Sequence, residues 1–203
     1  MVELRYMSNK NPEVELLKKK VETLSTLLDI NTVLALNLDI IKLLPYVMSV
    51  TAELLQAEGS SVILIDREKN ELYFEIAHGK KANAVSRIRM PISQGIAGWV
   101  IKEKKAIIVN NVKDDTRFNT DIDGKSGFTT RSIIATPLTV KVNEELEKNK
   151  IIGVLEVVNK VNNEIWTTED LEILEILANQ VATSIETTLL IEKLKTTISQ
   201  LKK

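Results

Sequence analysis

The sequence predicts an α+β domain held between two long helices. Three observations lead to that class. Apolar residues near the N-terminus recur at alternating four- and three-residue steps, six central segments are short apolar runs or alternate with a period of two, and the chain returns to helical spacing from Thr168 onward.

The elements follow in order. Residues 1–11 carry no apolar pattern and are expected to be disordered. Pro12 suits a first helical turn. From there Leu17, Val21, Leu24, Leu28, Asn31, Ala35 and Leu38 form a heptad seam. Asn31 is its one polar member; a single buried Asn can fix register and strand number, or this Asn faces solvent near a bend. Leu27, Ile30, Leu34 and Ile41 make a second apolar face. A helix over residues 12–42 is therefore expected to pack both on its own domain and on a second copy. Pro45 is placed in the first turn of a further helix over about 43–57, with Leu54 and Leu55 inward.

Strand spacing then takes over. SSVILID (60–66), the turn DREKN and ELYFEIAHG (71–79) read as a strand pair, followed by RIRMPI (87–92). Ser93 is a candidate N-cap for a short helix ending near Lys104. AIIVNN (106–111) is a fourth strand, and the polar stretch 114–130 reads as a long loop, of a length that is uncommon unless functional or disordered. SIIATPLTVKV (132–142) and IIGVLEVVNK (151–160) form a hairpin across the charged loop NEELEKNK. In the last helix Leu174, Leu177, Val181 and Ile185 face a core, and Ile191, Leu194, Ile198 and Leu201 continue at heptad-like spacing over residues 189–203. A helix of about 35 residues exceeds 50 Å, more than a small body needs, so its end is expected to pack on another helix or run free. The abrupt end, KLKTTISQLKK, leads us to expect an output domain beyond it or one that a partner supplies.

Composition narrows the function. Among 203 residues, 27 Lys and Arg face 28 Asp and Glu, so no basic excess favours nucleic acid. No cysteine is present, which excludes disulfides, thiolate metal sites and thiol catalysis. One histidine, His78, excludes a multi-histidine metal site. DIDG at 121–124 opens like a calcium loop, but the twelfth position is Ser132 rather than a bidentate Glu, which argues against calcium. With no signal peptide and no apolar run of membrane-spanning length, a cytoplasmic protein without membrane partners is expected.

The segments ISQGIAGWVIKEKKAIIVNNVKDDTRFN, SGFTTRSIIATPL and IIGVLEVVNK resemble GAF domains, in particular the regulatory GAF domains of cyclic-nucleotide phosphodiesterases and bacterial adenylyl cyclases. The resemblance spans about residues 45–188, within a body set at 43–188. It implies a central six-stranded antiparallel sheet of the GAF/PAS type with helices on both faces. The terminal helices lie on one face, and short helices and loops close a small-molecule pocket on the other. It also implies a module that senses a ligand, possible identities being cAMP or cGMP, and signals to an output domain or protein as a homodimer. The alternative is a ligand-free GAF scaffold that only dimerises. The GAF type that reduces free methionine sulfoxide needs cysteines, so no catalytic residue is assigned.

Carried over position by position, the resemblance implies a ligand site. Ile96 and Ala97, in GIAG at a helix start, would meet a cyclic phosphate and ribose; the alternative is that Gly95 and Gly98 serve only a tight turn and close packing. Phe118 and Asn119 lie in the 114–130 stretch, which the resemblance makes a lid over the pocket, as do the polar positions Asp123, Ser126 and Thr130, which also fit ordinary turn chemistry. Glu156 is placed on the pocket floor; a solvent-facing strand position is the alternative. His78 takes a purine-edge position where guanine-binding relatives often have Asp. A neutral His offers one donor and one acceptor, which favours adenine or another ligand over guanine. Ser61 is a ribose or base partner, or simply a small packing residue. The cyclic-nucleotide subfamily also carries an Asn-Lys, then a Phe, then Asp-Glu. Here Asn159, Lys160, Trp166 and Asp170 fill that pattern as a corner or hinge, with Trp for Phe and Leu171 where the Glu would stand. Thr167 to Asp170 also fits a reciprocal helix N-cap, so Asp170 can cap the helix and pair with Lys160.

Overall fold

The computed structural model describes residues 12–36, 40–86, 88–143 and 148–201. The predicted disorder of residues 1–11, the seam position Leu38 and the middle of the 143–150 loop lie outside them, as do the side chains of Ala35 and Ile41. Six strands, β1 (Ala57–Asp66), β2 (Glu71–Gly79), β3 (Arg89–Pro91), β4 (Ile107–Val109), β5 (Ile133–Asn143) and β6 (Lys148–Lys160), form one antiparallel sheet in the order β3-β2-β1-β6-β5-β4. The helices are α1 (Pro12–Leu36), α2 (Ile40–Leu54), α3 (Ala82–Val85), α4 (Gly95–Glu103), α5 (Asp121–Ser126) and α6 (Thr168–Leu201). This is the predicted α+β class.

The two sheet faces carry separate cores, because side chains alternate along each strand and directly opposed residues share a face. Val62, Leu64, Leu155, Val157 and Ile134 point to one side, where they meet Leu44 and Met48 of α2 and Leu174, Leu177, Val181 and Ile185 of α6. Ile63, Val154, Ile133 and Ala135 point to the other, under Ile96, Ala97 and Val100 of α4. The long helices therefore occupy one face and the short ones the opposite face. The second apolar face of α1 packs inward as expected, with Ile30 and Leu34 buried and Leu27 partly so. Leu17, Val21, Leu24 and Leu28 of its heptad seam are each more than half exposed, and Asn31 is exposed beside them.

Several predicted boundaries move. The 12–42 helix is instead α1 followed by α2, which starts at Ile40 and ends at Leu54, so Pro45 sits inside a helix rather than in its first turn. β1 begins at Ala57, where the second helix was expected to end. Gln94, not Ser93, occupies the N-cap of α4, because Gly95 takes a positive φ of 74° that turns the chain there. Gly98 then packs on the incoming strand end; a Cβ on it would lie 2.4 Å from the Ser93 carbonyl carbon. The 114–130 stretch is not a bare loop. It contains the end of a 3₁₀ turn (Val112–Asp114) and α5, whose DIDGKS residues form a helix. α3 was not anticipated at all.

Candidate functional site

The site is a two-lobed cavity on the face away from the long helices. One lobe, about 480 Å³ including space open to solvent, is bounded by Ser61, Phe74, His78, Ser126, Phe128 and Thr130. The second, about 420 Å³, lies under the start of α4 and is bounded by Ile96, Ala97, Phe118, Asn119 and Met90. Phe74, Ile122, Asp123, Thr130 and Glu156 border both, so the two lobes are continuous. All ten residues assigned to ligand binding from the sequence line this cavity, although they come from β1, β2, α4, the 114–130 stretch and β6.

The floor explains why there is room. Glu156 on β6 lies opposite Ser61 on β1 and Ala135 on β5. Two small neighbours leave space above the central strand, and the Glu156 side chain occupies part of it. Its carboxyl is enclosed by protein, although the cavity leaves some of its surface accessible to solvent. Burial, and then the nearby Asp123 charge, push its pKa up to about 7. Asp123 itself holds the roof. Its Oδ2 accepts from the Thr130 N–H at 2.7 Å and its Oδ1 from the Thr130 hydroxyl at 2.6 Å, closing α5 onto the end of the lid.

At the far lobe the chain presents hydrogen-bond donors. Gly98 N–H donates to the Gln94 carbonyl, the first bond of α4, so the N–H groups of the residues just before it have no partner within the helix. Gly95, Ile96 and Ala97 border the cavity there. Asn119 accepts from the Asp121 N–H through Oδ1, while its buried Nδ2 finds no hydrogen-bond partner. A helix start with a spare amide donor suits an anionic or strongly accepting group. The loop that carries Phe118 and Asn119 is anchored to α4: the Arg117 guanidinium lies 4.6 Å from the Trp99 ring and is bidentate on Asp115, whose carboxyl it holds below its ordinary range. His78 is exposed at the cavity mouth, with Lys80 and Lys81 beside it.

A second constellation lies at the lid's exit. Asn159, fully buried at φ 58°, donates from Nδ2 to the Thr129 carbonyl (2.8 Å) and Glu58 (2.9 Å), and accepts at Oδ1 from the N–H of Arg131 (2.6 Å). The next residue, Lys160, donates to Asp170 Oδ1 at 2.6 Å, with side-chain exposures of only 8% and 13%. Asp170 Oδ2 also accepts from the Thr167 N–H (2.9 Å), and Asp170 N–H donates to the Thr167 hydroxyl (3.2 Å), so the same carboxylate caps α6. Trp166 is buried, 5.0 Å from the Lys160 ammonium, and its backbone N–H donates to Asn110. The sequence does not single out Asn110 or the pocket wall of Phe74, Ile122 and Phe128. Of these, only Phe74 had a signal, as an inward member of the alternating strand at 71–79.

A sequence-family model described as "GAF domain" matches residues 39–185, most of the chain. The chain belongs to the GAF family. Over 141 residues it is 30% identical to a probable 3',5'-cyclic phosphodiesterase, pde-5, of Caenorhabditis elegans, covering 65% of this chain and 18% of that protein. Over 89 residues it is 32% identical to the cone cGMP-specific 3',5'-cyclic phosphodiesterase subunit alpha' of Gallus gallus, covering 44% of this chain and 10% of that one. The GAF domain thus spans less than a fifth of the length of these curated relatives. Among solved structures it superposes on the GAF domain of a phosphoenolpyruvate-protein phosphotransferase from Coxiella burnetii with a TM-score of 0.72 at 16% identity, covering 84% of this chain and 96% of that one. A free methionine-R-sulfoxide reductase from Neisseria meningitidis gives 0.67 at 20% identity, covering 83% and 91%. At such identities the shared feature is the GAF fold. No helix among the described residues is long and apolar enough to cross a membrane.

Proposed function

We propose that this GAF domain is a non-catalytic regulatory module that binds a purine cyclic nucleotide, dimerises through its terminal helices and passes the bound state into α6. One observation carries the ligand reading: ten residues from five separated stretches converge on one cavity, with the start of α4 at one end and the Phe74 and Phe128 rings at the other. The cyclic phosphate and ribose would lie against Gly95 to Ala97 and Asn119, and the base between Phe74 and Phe128. The phosphodiesterase relatives, one of them named cGMP-specific, support a cyclic nucleotide. A ligand seated under α5 would then hold the Asp123–Thr130 contact in place and, through Asn159 and Lys160, set the root of α6. A ligand does so only by binding that arrangement better. The sequence has no cysteine, which the resemblance makes a requirement of the sulfoxide-reducing GAF type.

A thermal-shift panel of cAMP, cGMP, other nucleotides and amino acids tests this. A true ligand at a hundred times its Kd adds about 2.7 kcal/mol, or roughly 5–10 °C in Tm for a chain of this size. The rise should vanish in Thr130→Ala and Glu156→Ala; a cyclic-nucleotide shift that survives both would move the site elsewhere. No shift with any compound, together with a stable dimer, would favour the ligand-free scaffold.

The exposed Leu17, Val21, Leu24 and Leu28 seam on α1 supports dimerisation, as does the exposure of Leu194, Ile198 and Leu201 on α6. Leu24→Lys with Leu28→Lys is expected to convert the dimer to monomer in sedimentation equilibrium while leaving the far-ultraviolet circular dichroism intact. Dimers that persist would exclude this seam as the interface.

A further inference from the structure

Glu156 differs from the other polar residues around the cavity. Asp123 spends both oxygens on Thr130, and Asn119 spends its carbonyl oxygen on Asp121. The Glu156 carboxyl accepts no hydrogen bond from any described residue, yet it sits where the two lobes join and borders both. A buried carboxyl without a partner is costly unless something else satisfies it. The groups facing it are few. β1 contributes the Ser61 hydroxyl, β5 the Ala135 methyl, α4 no charged group, and α5 the Asp123 carboxylate, while His78, Lys80 and Lys81 stand at the mouth. No cation on the cavity floor neutralises it among the described residues.

We infer that Glu156 is a specificity-determining residue that reads the edge of the bound purine, and that its protonation state decides which purine the domain prefers. This rests on the cyclic-nucleotide reading above. The base lobe has Phe74, Phe128, Val85 and Ala77 on its walls; of its polar side chains, Asp123 and Thr130 are bonded to each other, Ser126 accepts from the Phe128 N–H, and His78, Lys80 and Lys81 stand at the mouth, which leaves Ser61 and Glu156 to meet the edge of a flat base. An ionised carboxylate only accepts, so it complements two adjacent donors, the N1–H and amino group of guanine. A neutral carboxyl offers one donor and one acceptor, so it complements the N1 acceptor and N6 amino donor of adenine. Burial and the Asp123 charge hold the empty-state Glu156 near the point where both forms are populated at neutral pH. Guanine binding then releases a proton from Glu156, and adenine binding takes one up.

The experiment uses the full chain with cAMP and cGMP as probes. Kd is measured by isothermal titration calorimetry at about pH 6 and about pH 8.5, in buffers of differing ionisation enthalpy so that proton exchange is counted. The wild-type preference should shift toward cGMP by roughly tenfold or more as pH rises, because a mispaired polar group in a closed site is strongly rejected. Near neutrality cGMP should release protons and cAMP should take them up. Glu156→Gln, a fixed donor and acceptor, should favour cAMP at both pH values with no proton exchange at this site. His78→Asn, a change in the binding site itself, is expected to alter the affinities but to keep the wild-type shift of the cGMP-to-cAMP ratio with pH. Binding with a ratio that does not change with pH, or a pH dependence retained in Glu156→Gln and lost in His78→Asn, would overturn the inference while leaving a cyclic-nucleotide site intact. Failure of both nucleotides to bind at any pH would overturn the cyclic-nucleotide reading and the inference with it.

Discussion

Lys160→Ala is expected to lower the stability of the domain by about 3–5 kcal/mol, the usual penalty for stranding one member of a buried ion pair. Lys160 and Asp170 are both largely withdrawn from water, so the carboxylate left behind could not recover its lost partner from solvent. Asp170→Ala should cost a similar amount for a second reason as well, since the same side chain receives the Thr167 N–H at the start of α6. Lys160→Met combined with Asp170→Asn should be considerably milder than the sum, because neither charge remains. Urea denaturation of the two singles and the double, analysed as a cycle, measures this. A cost below 1 kcal/mol for Lys160→Ala would mean that the pair behaves as a surface contact.

The second large effect is pH-dependent and belongs to Glu156. Its folded-state value is raised from 4.5 to about 7, so the folded protein holds this proton more tightly than the unfolded chain does. The stability it contributes is therefore complete below about pH 4.5, declines as pH rises, and is gone once pH passes about 7. Glu156→Gln lacks this term. Relative to wild type, the variant should gain on the order of 2–3 kcal/mol between about pH 4.5 and pH 8, a magnitude reduced from the full shift because the cavity admits some solvent. Carboxylates with lowered values, such as Asp115 beside Arg117 and Glu58 beside Arg131, act with the opposite sign but equally in both proteins. Chemical denaturation of both proteins across that range isolates the difference. A difference that stays constant with pH would place the Glu156 carboxyl in free contact with water in the folded state.

Much of this was readable in the sequence, for identifiable reasons. The core positions of α6 follow helical spacing, and all four predicted inward residues are buried. The Thr167–Asp170 cap needs only local spacing. The cavity residues came from motif resemblance, since residues from five stretches leave no local mark of their convergence. β1 was opaque in a different way. Its residues 60–64 are buried on both faces, so alternation could not say that Ser61 and Ile63 face the cavity while Val62 and Leu64 face the helices. β2 hides a bulge opposite Val62 and Ile63, where Phe74 pairs with Ile63 but Ile76 pairs with Val62, so two residues that simple alternation would place together lie on opposite faces. The short helices α3 and α5 are built from small and turn-forming residues. α3 packs against β2 and α5, and Asp123 of α5 reaches Thr130, contacts between distant segments that local spacing does not register.

Asn159 and Lys160 are neighbours in the chain. One grips the backbone at Thr129 and Arg131, at the lid's exit; the other grips the first turn of α6. A single peptide unit, about 3.8 Å from Cα to Cα, joins the two grips. Linkage at such close range runs in both directions. If an occupied cavity fixes the angle at which α6 departs, then anything that clamps α6 at that angle must raise affinity in the cavity by the same factor. A fusion partner, an antibody or a neighbouring domain holding the helix would thus act on the ligand site without touching it, and the unattached domain would report only the resting value of an affinity that its surroundings set.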